Sequence, residues 1–173
     1  MSKAFTKDDA WEEPVVPPRA PLPAGVPNYV TPRGLALLRA ELAELEAERR
    51  RVDSDRSDEV ESRRRLAIVA GRLAELSARI ASAEVVDPRR QPHDAVRFGA
   101  SVTLKTVSGE SAGEERRLEI VGVDEADPAS GRVAFVAPIA RAILGSAVGE
   151  TVSLQTPRGE ELLQVVSIAY KAD

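Results

Sequence analysis

Acidic side chains are concentrated in one short polar stretch, residues 53–59, with the sequence Asp-Ser-Asp-Arg-Ser-Asp-Glu. Two of these acids, Asp55 and Asp58, are three residues apart. Acids at that spacing can lie on one face of a helical first turn, so their carboxylates could meet one metal ion. Asp and Ser are also common capping residues, and acids are favoured at a helix N-terminus. The stretch is therefore either a metal-binding tip or a capped turn.

Arginines flank the acidic stretch on both sides, at residues 49–51 and at Arg63, Arg64 and Arg65. Guanidinium groups bind phosphates through charge-assisted hydrogen bonds, so these clusters could hold a nucleic-acid backbone. The alternative is a solvated helix face on which the arginines pair with neighbouring glutamates.

The residue types that most independent enzyme sites use are missing. The chain has no cysteine, which excludes disulfides and thiolate metal sites. Its one histidine, His93, stands beside Pro92 and cannot supply a histidine cluster. No glycine-rich phosphate loop followed by lysine occurs. We therefore expect no enzyme activity and no cofactor of its own, and a function that comes from shape and from the charged tip.

Overall composition limits the compartment and the partners. The net charge is −4 with a pI near 5.3, which argues against a protein that grips bare duplex DNA through its overall charge. No apolar run approaches the roughly 20 residues that span a bilayer, and the N-terminus lacks the apolar stretch of a secretion signal. We expect a cytoplasmic monomer without membrane contact.

Two helices must position the tip. Thr31-Pro32-Arg33-Gly34 supplies a capping hydroxyl followed by proline at the first helical position. Leucines and other aliphatic residues then recur at spacings of three and four on each side of the polar stretch, and such stripes are typical of two helices folded back on each other. The members are Leu35, Leu38, Leu42, Leu45 and Val52, then Leu66, Val69, Leu73, Leu76 and Ile80.

The C-terminal half has the period of strands instead. Alternating apolar residues between 96 and 170 fit strands that turn signals separate, beginning with Val96, Phe98, Val102 and Leu104. Residues 138–144 resemble a short helix ended by Gly145. The expected fold is α+β: a helical coiled-coil hairpin followed by an antiparallel β domain with a short helix. The predicted boundaries are a proline-rich, disordered arm at 1–28, the hairpin at 29–87, a linker at 88–95 and the β domain at 96–173.

Five segments distributed over residues 28–170 form an ordered set of motifs. The segments are Asn28-Tyr29-Val30-Thr31-Pro32-Arg33-Gly34-Leu35, Glu84-Val85-Val86-Asp87-Pro88, Val123-Asp124-Glu125-Ala126-Asp127-Pro128, Ala137-Pro138-Ile139-Ala140-Arg141, and Thr156-Pro157-Arg158-Gly159-Glu160. In this order they resemble the GreA/GreB family of bacterial transcription elongation factors.

The resemblance implies an FKBP-like C-terminal domain that docks at the secondary channel of RNA polymerase while the hairpin enters the channel. It implies that Asp55 and Asp58 assist cleavage of backtracked RNA by holding a magnesium ion of the polymerase, and that Arg63, Arg64 and Arg65 contact that RNA. The docking residues that it suggests are Asp124, Glu125, Ala137, Pro138, Ile139 and Arg141.

The hairpin departs from the family pattern. It is shorter than in GreB by roughly six to seven residues per arm, or about 10 Å at 1.5 Å per residue. A non-cleaving regulator that occupies the channel, or competes with Gre factors there, is therefore an alternative. Two further alternatives are a prolyl isomerase or chaperone, since FKBP-like folds include these, and a coiled-coil dimeriser.

Overall fold

The computed structural model describes residues 19–55 and 58–171 of the chain. The helices and strands follow in the order β1 Asn28–Val30, α1 Pro32–Ser54, α2 Glu59–Ala81, β2 Ala83–Val85, β3 Ala100–Ser108, β4 Glu115–Val121, β5 Arg132–Ala134, α3 Pro138–Ile143, β6 Thr151–Thr156 and β7 Gly159–Tyr170. The α+β class that the sequence predicts is confirmed.

Helices α1 and α2 form the predicted hairpin. Helix α1 begins after Thr31, whose hydroxyl accepts a hydrogen bond of 2.8 Å from the Gly34 N–H. Each helix has 23 residues, which at 1.5 Å per residue makes a rod of about 35 Å. The predicted apolar stripes face each other, and their fully buried members recur every seven residues, at Leu38, Leu45 and Val52 in α1 and at Val69 and Leu76 in α2.

A two-stranded parallel sheet closes the base of the hairpin. Strand β1 pairs with β2 in the register Asn28 to Ala83 and Val30 to Val85. The buried Asn28 amide donates to the carbonyl of Arg79 at 2.9 Å and to the Ser82 hydroxyl at 3.1 Å. These strands have three residues each, too few for an alternating pattern to reveal them in the sequence.

The sequence places residues 1–28 in one arm, of which residues 1–18 lie outside the described part. Residues 19–27 precede β1 and contact the hairpin through Arg19 and Ala20. The predicted linker, 88–95, contains a 3₁₀ turn at Pro88–Arg90 in which Pro88 is buried. Its last residue, Ala95, accepts a hydrogen bond of 2.6 Å from the Tyr170 hydroxyl.

The globular part is built on a five-stranded sheet in the order β5-β4-β3-β7-β6. Neighbouring strands are antiparallel except β4 and β5, which are parallel. Helix α3 lies against the sheet and buries Ala140 and Ile143. Gly145 follows it with φ +88°, a left-handed conformation that suits glycine at the end of a helix.

Two residues expected in the first long strand belong to a loop instead. Val96 and Phe98 precede β3, which begins at Ala100, so the predicted strand start is wrong. Both are nonetheless buried in the core. A distant part of the chain holds this loop: the Val96 N–H donates to the Ser146 carbonyl and the Val96 carbonyl accepts from the Gly145 N–H, both at 2.8 Å, beyond the end of α3.

Candidate functional site

The tip of the hairpin places its two candidate acids at opposite helix ends. Asp55 is the C-cap of α1, and Asp58 is the N-cap of α2. They therefore do not share a helical first turn, contrary to the arrangement expected from their spacing. Both side chains are exposed. The Ser62 hydroxyl donates to the Asp55 carbonyl at 3.3 Å and so ties the two helix ends together.

Asp58 has a structural role as well as an accessible carboxylate. Its Oδ1 accepts hydrogen bonds from the Val60 N–H at 3.0 Å and the Glu61 N–H at 3.1 Å. These bonds satisfy two of the N–H groups that a helix start leaves without partners. Of the described residues, none donates to Oδ2. One carboxylate oxygen therefore remains for a ligand, and the charge also suits the positive end of the α2 dipole.

The arginine clusters form two exposed patches next to the tip. Residues 49–51 lie in the last turns of α1, and Arg63, Arg64 and Arg65 lie in the second turn of α2. Within the described part of the chain, none of these six arginines is in an ion pair; the pair recorded between the arms is Arg72 with Glu48, at 3.9 Å. The guanidinium groups beside the tip are thus open to an anionic partner.

The acids Asp124 and Glu125 do not lie on an exposed docking surface. The Glu125 side chain is 1% exposed, and its Oε2 accepts a hydrogen bond of 2.5 Å from the Thr31 hydroxyl. Its Oε1 lies 3.7 Å from Nη1 of Arg33. The Asp124 side chain is 8% exposed and pairs with Arg79 of α2 at 3.3 Å. Because a buried carboxylate needs such partners, both acids are engaged in holding the hairpin base against the globular part.

Aromatic packing reinforces this joint between the two parts. Tyr29 of β1 has its ring centroid 5.8 Å from that of Phe98 and 5.6 Å from that of Phe135. A Cβ at Gly122 would lie 2.7 Å from the Tyr29 carbonyl oxygen, so the backbones approach closely there. Tyr29 therefore packs the hairpin base against the core of the sheet.

Arg19 was missed by reasoning from the sequence, although it joins three parts of the chain. Its guanidinium contacts Glu41 on α1 at 2.5 Å and Asp124 at 2.9 Å. The hydrogen bond with Glu41, followed by that with Asp124, raises the pKa of Arg19 above its usual value against the effect of burial. Nothing in the sequence around Arg19 indicates such partners, since they are 22 and 105 residues away.

The four remaining candidate docking residues surround the start of α3. Ala137 is its N-cap, while Pro138 and Arg141 are exposed. Ile139 is half-buried and packs against the core of the sheet. The first turn of α3 therefore offers a small exposed surface with one positive charge.

Neither a metal cluster nor a membrane segment occurs in the described residues. Within residues 19–55 and 58–171, no three or more histidine or acidic side chains are grouped so as to hold a metal ion. None of the helices in this part has the length and apolarity that crossing a bilayer requires.

Known proteins with similar sequences include transcription elongation factors GreA and GreB. The family model described as "Transcription elongation factor, GreA/GreB, C-term" matches residues 91–170. Transcription elongation factor GreA of Acidiphilium cryptum is 35% identical over 154 residues, which cover 82% of this chain and 96% of that protein. Transcription elongation factor GreB of Neisseria meningitidis is 35% identical over 157 residues, which cover 83% of this chain and 94% of that protein.

Over the part matched with the Acidiphilium cryptum protein, this chain has fewer residues than its relative. The alignment runs over 154 positions but uses 82% of the 173 residues, about 142, so about 12 aligned positions have no counterpart here.

Solved structures are less similar in sequence, although they match about the same fraction of this chain. GreA factor homolog 1 of Thermus thermophilus is 21% identical with a TM-score of 0.38, covering 82% of this chain and 97% of that one. The GreA/GreB factor from Nitrosomonas europaea is 24% identical with a TM-score of 0.40, covering 82% of this chain and 98% of that one. Membership of a family therefore rests on the sequence relatives.

Proposed function

The chain belongs to the GreA/GreB family of transcription elongation factors, and we propose that it binds bacterial RNA polymerase at the secondary channel as an accessory factor. The observation that carries this proposal is the separation of two features: a rod of two 23-residue helices ends in exposed acids, and a globular part holds its other end. Such a shape can deliver carboxylates into a narrow channel from an anchor outside it. Polymerase binding implies a cytoplasmic location.

Docking is assigned to the first turn of α3. Pro138 and Arg141 are exposed there, and Ala137 and Ile139 border them. Asp124 and Glu125 would act indirectly, because their carboxylates are turned toward the hairpin base. Their contribution is to hold the hairpin in a fixed direction while α3 contacts the polymerase.

The tip would act on backtracked RNA through its acids. Asp55 and Asp58 would help to hold a magnesium ion of the polymerase, since carboxylate oxygens are the ligands that magnesium prefers. That ion would orient a water molecule for attack on a phosphodiester. In this arrangement Oδ1 of Asp58 keeps its two backbone hydrogen bonds while Oδ2 faces the ion. The chain contributes ligands, and the polymerase contributes the active site.

Arg63, Arg64 and Arg65 would contact the phosphates of the backtracked RNA. Their side chains are exposed, lie one turn from the tip and form no ion pair with any described residue. Arginine binds phosphate through paired N–H donors, which gives orientation as well as charge.

A second candidate is a factor that occupies the channel without stimulating cleavage. Two observations favour it: the rod is about 35 Å long at 1.5 Å per residue, and about 12 aligned positions of a GreA relative are missing here. Metal ligands must lie within tenths of an ångström of their ideal distances. A tip that stops a few ångströms short would therefore block the channel but could not complete the magnesium site.

Two other classes have less support. The relatives of this chain are named transcription elongation factors, which gives no support to a prolyl isomerase or chaperone. A coiled-coil dimeriser would need its apolar stripes outside, whereas Leu38, Leu45 and Leu76 are buried within the hairpin. We propose that the factor is a monomer.

The two candidates are separated by one experiment on stalled, backtracked complexes with end-labelled RNA. The intact protein is compared with the double variant Asp55→Asn and Asp58→Asn. Asparagine caps a helix start about as well as aspartate, and Asp55 caps the end of α1 through its backbone N–H. The variant is therefore expected to keep the hairpin while it removes the two charges, and circular dichroism checks that it does. RNA cleavage that the variant abolishes, with binding unchanged, supports the first candidate. Binding of the intact protein without cleavage supports the second, and absence of binding contradicts both.

A further inference from the structure

Arg19 connects the segment before β1 to both halves of the protein. One guanidinium nitrogen, Nη2, donates to Oε1 of Glu41 at 2.5 Å, and the other, Nη1, donates to Oδ1 of Asp124 at 2.9 Å. Glu41 belongs to α1, and Asp124 belongs to the 3₁₀ turn Val123–Glu125 of the globular part. A single side chain therefore spans the joint between the hairpin and the sheet.

A second arginine holds the same acid from the other helix. Arg79 of α2 pairs with Oδ2 of Asp124 at 3.3 Å and also donates to the Ala20 carbonyl. Asp124 is thus shared between α2 and the segment before β1. Removing Arg19 would leave Asp124 paired with Arg79, so the buried acid keeps a partner and the fold is expected to survive.

The contact of Arg19 depends on charge more than on packing. The Arg19 side chain lines two open grooves, of about 460 Å³ and about 350 Å³. Its side chain is 21% exposed, and that of Glu41 is 37% exposed. Ion pairs with this exposure are weakened by salt. The tie that Arg19 makes should therefore loosen as ionic strength rises.

We propose that Arg19 is a positioning residue which, with Glu41 and Asp124, limits the direction of the hairpin relative to the globular part. The inference rests on the proposed function, because the direction matters when a docked domain must aim a tip into a channel. A tilt of about 10° would move the end of a rod of about 35 Å by roughly 6 Å. That displacement is far larger than metal coordination tolerates.

The experiment uses the lack of cysteine in this chain. Spin labels are attached to Val60→Cys near the tip, where the side chain is 68% exposed, and to Val148→Cys in the globular part, where it is 57% exposed. Pulsed electron paramagnetic resonance then gives the distribution of distances between the labels. At low salt the otherwise intact protein should give one narrow distribution, and adding Arg19→Met should broaden or shift it.

Two further variants make the test specific. Glu41→Gln removes the other half of the bridge and should change the distribution as Arg19→Met does, with no further change when both are combined. Arg158→Met is the matched control: it removes an exposed ion pair with Glu110, 3.2 Å long, at the far turn of the sheet, and should change nothing. High salt should shift the otherwise intact protein toward the Arg19→Met distribution.

The positioning role is overturned if Arg19→Met and Glu41→Gln give the same distribution as the control in low salt. Because no polymerase is present, this result is independent of the proposed function. Failure of the intact protein to bind polymerase would remove the proposed function and leave a measured change in hairpin direction standing.

Discussion

The hydroxyl of Thr31 donates a hydrogen bond of 2.5 Å to the buried carboxylate of Glu125. The same oxygen accepts a hydrogen bond of 2.8 Å from the Gly34 N–H and so caps α1. The residue that starts the hairpin is therefore also the residue that fixes it to the globular part. Changes at this joint should alter stability and hairpin direction together.

Replacing Thr31 by valine should lower the free energy of unfolding by about 2–4 kcal/mol, because the helix loses its cap and the buried Glu125 loses a donor. Thr31→Ser keeps the hydroxyl and should cost less than half as much. Urea denaturation of both variants measures the difference. If Thr31→Val were within about 0.5 kcal/mol of the intact protein, a typical effect of surface substitutions, the joint would not have the role assigned to it.

Gly34→Ala should destabilise the protein although alanine is favoured over glycine in a helix by about 0.5–1 kcal/mol. The added Cβ would lie 2.7 Å from Oε2 of Glu125, too close for an ordinary contact. In a Glu125→Ala background this obstacle is gone, so the same substitution should become neutral or stabilising. A double-mutant cycle from urea denaturation tests the reversal, and equal effects of Gly34→Ala in both backgrounds would contradict it.

Asp58 should respond differently to alanine and to asparagine. Alanine removes the cap of α2 and should lower the free energy of unfolding by about 0.5–2 kcal/mol. Asparagine keeps the cap and should change this free energy by only about a few tenths of a kcal/mol. Thermal unfolding followed by circular dichroism at a helix wavelength makes the comparison. Equal losses for both variants would show that the carboxylate charge, not the two hydrogen bonds to Oδ1, stabilises the helix start.

Tyr170 should make the free energy of unfolding change with pH in the alkaline range. Burial raises the pKa of its hydroxyl above the usual value of 10, partly offset by the hydrogen bond from the Arg97 N–H. The folded state binds the hydroxyl proton of Tyr170 more tightly than the unfolded state does. The protonated hydroxyl therefore contributes its full stabilisation below the pKa of tyrosine in the unfolded chain, near 10, and this stabilisation is lost as pH rises through the pKa of Tyr170 in the folded protein. Tyrosinate absorbance and denaturation at pH 8–11 should show the loss, which Tyr170→Phe should remove; the same slope in that variant would contradict the assignment.

The elements with long repeating patterns were predictable from the sequence. The heptad-like spacing of Leu38, Leu45 and Val52 gave α1 its buried face, and Thr31-Pro32 marked its start. Short elements were not: β1 and β2 pair because the hairpin brings their distant segments together, which no local pattern encodes. Val96 and Phe98 alternate as in a strand, yet backbone bonds to the turn after α3 hold Val96 in a loop.

The candidate site was predictable in its location but not in its geometry. The acidic tip lies between the helices as expected, but the turn separates Asp55 and Asp58 into a C-cap and an N-cap. The sequence could not show that Asp124 and Glu125 face inward, because their partners Arg19, Arg79 and Thr31 lie far away along the chain. Long-range ion pairs of this kind have no local sequence signal.

The most direct test of polymerase binding is a photo-crosslink from the tip. A photoreactive group is attached to Val60→Cys, or to Val148→Cys as the comparison, and each protein is added to a stalled complex of bacterial RNA polymerase with labelled RNA. The predicted result is crosslinking from residue 60 to polymerase segments inside the secondary channel or to the RNA 3′ end, and none from residue 148 to these targets. Absence of any such crosslink from residue 60, with the hairpin shown to be folded, would contradict entry of the tip into the channel.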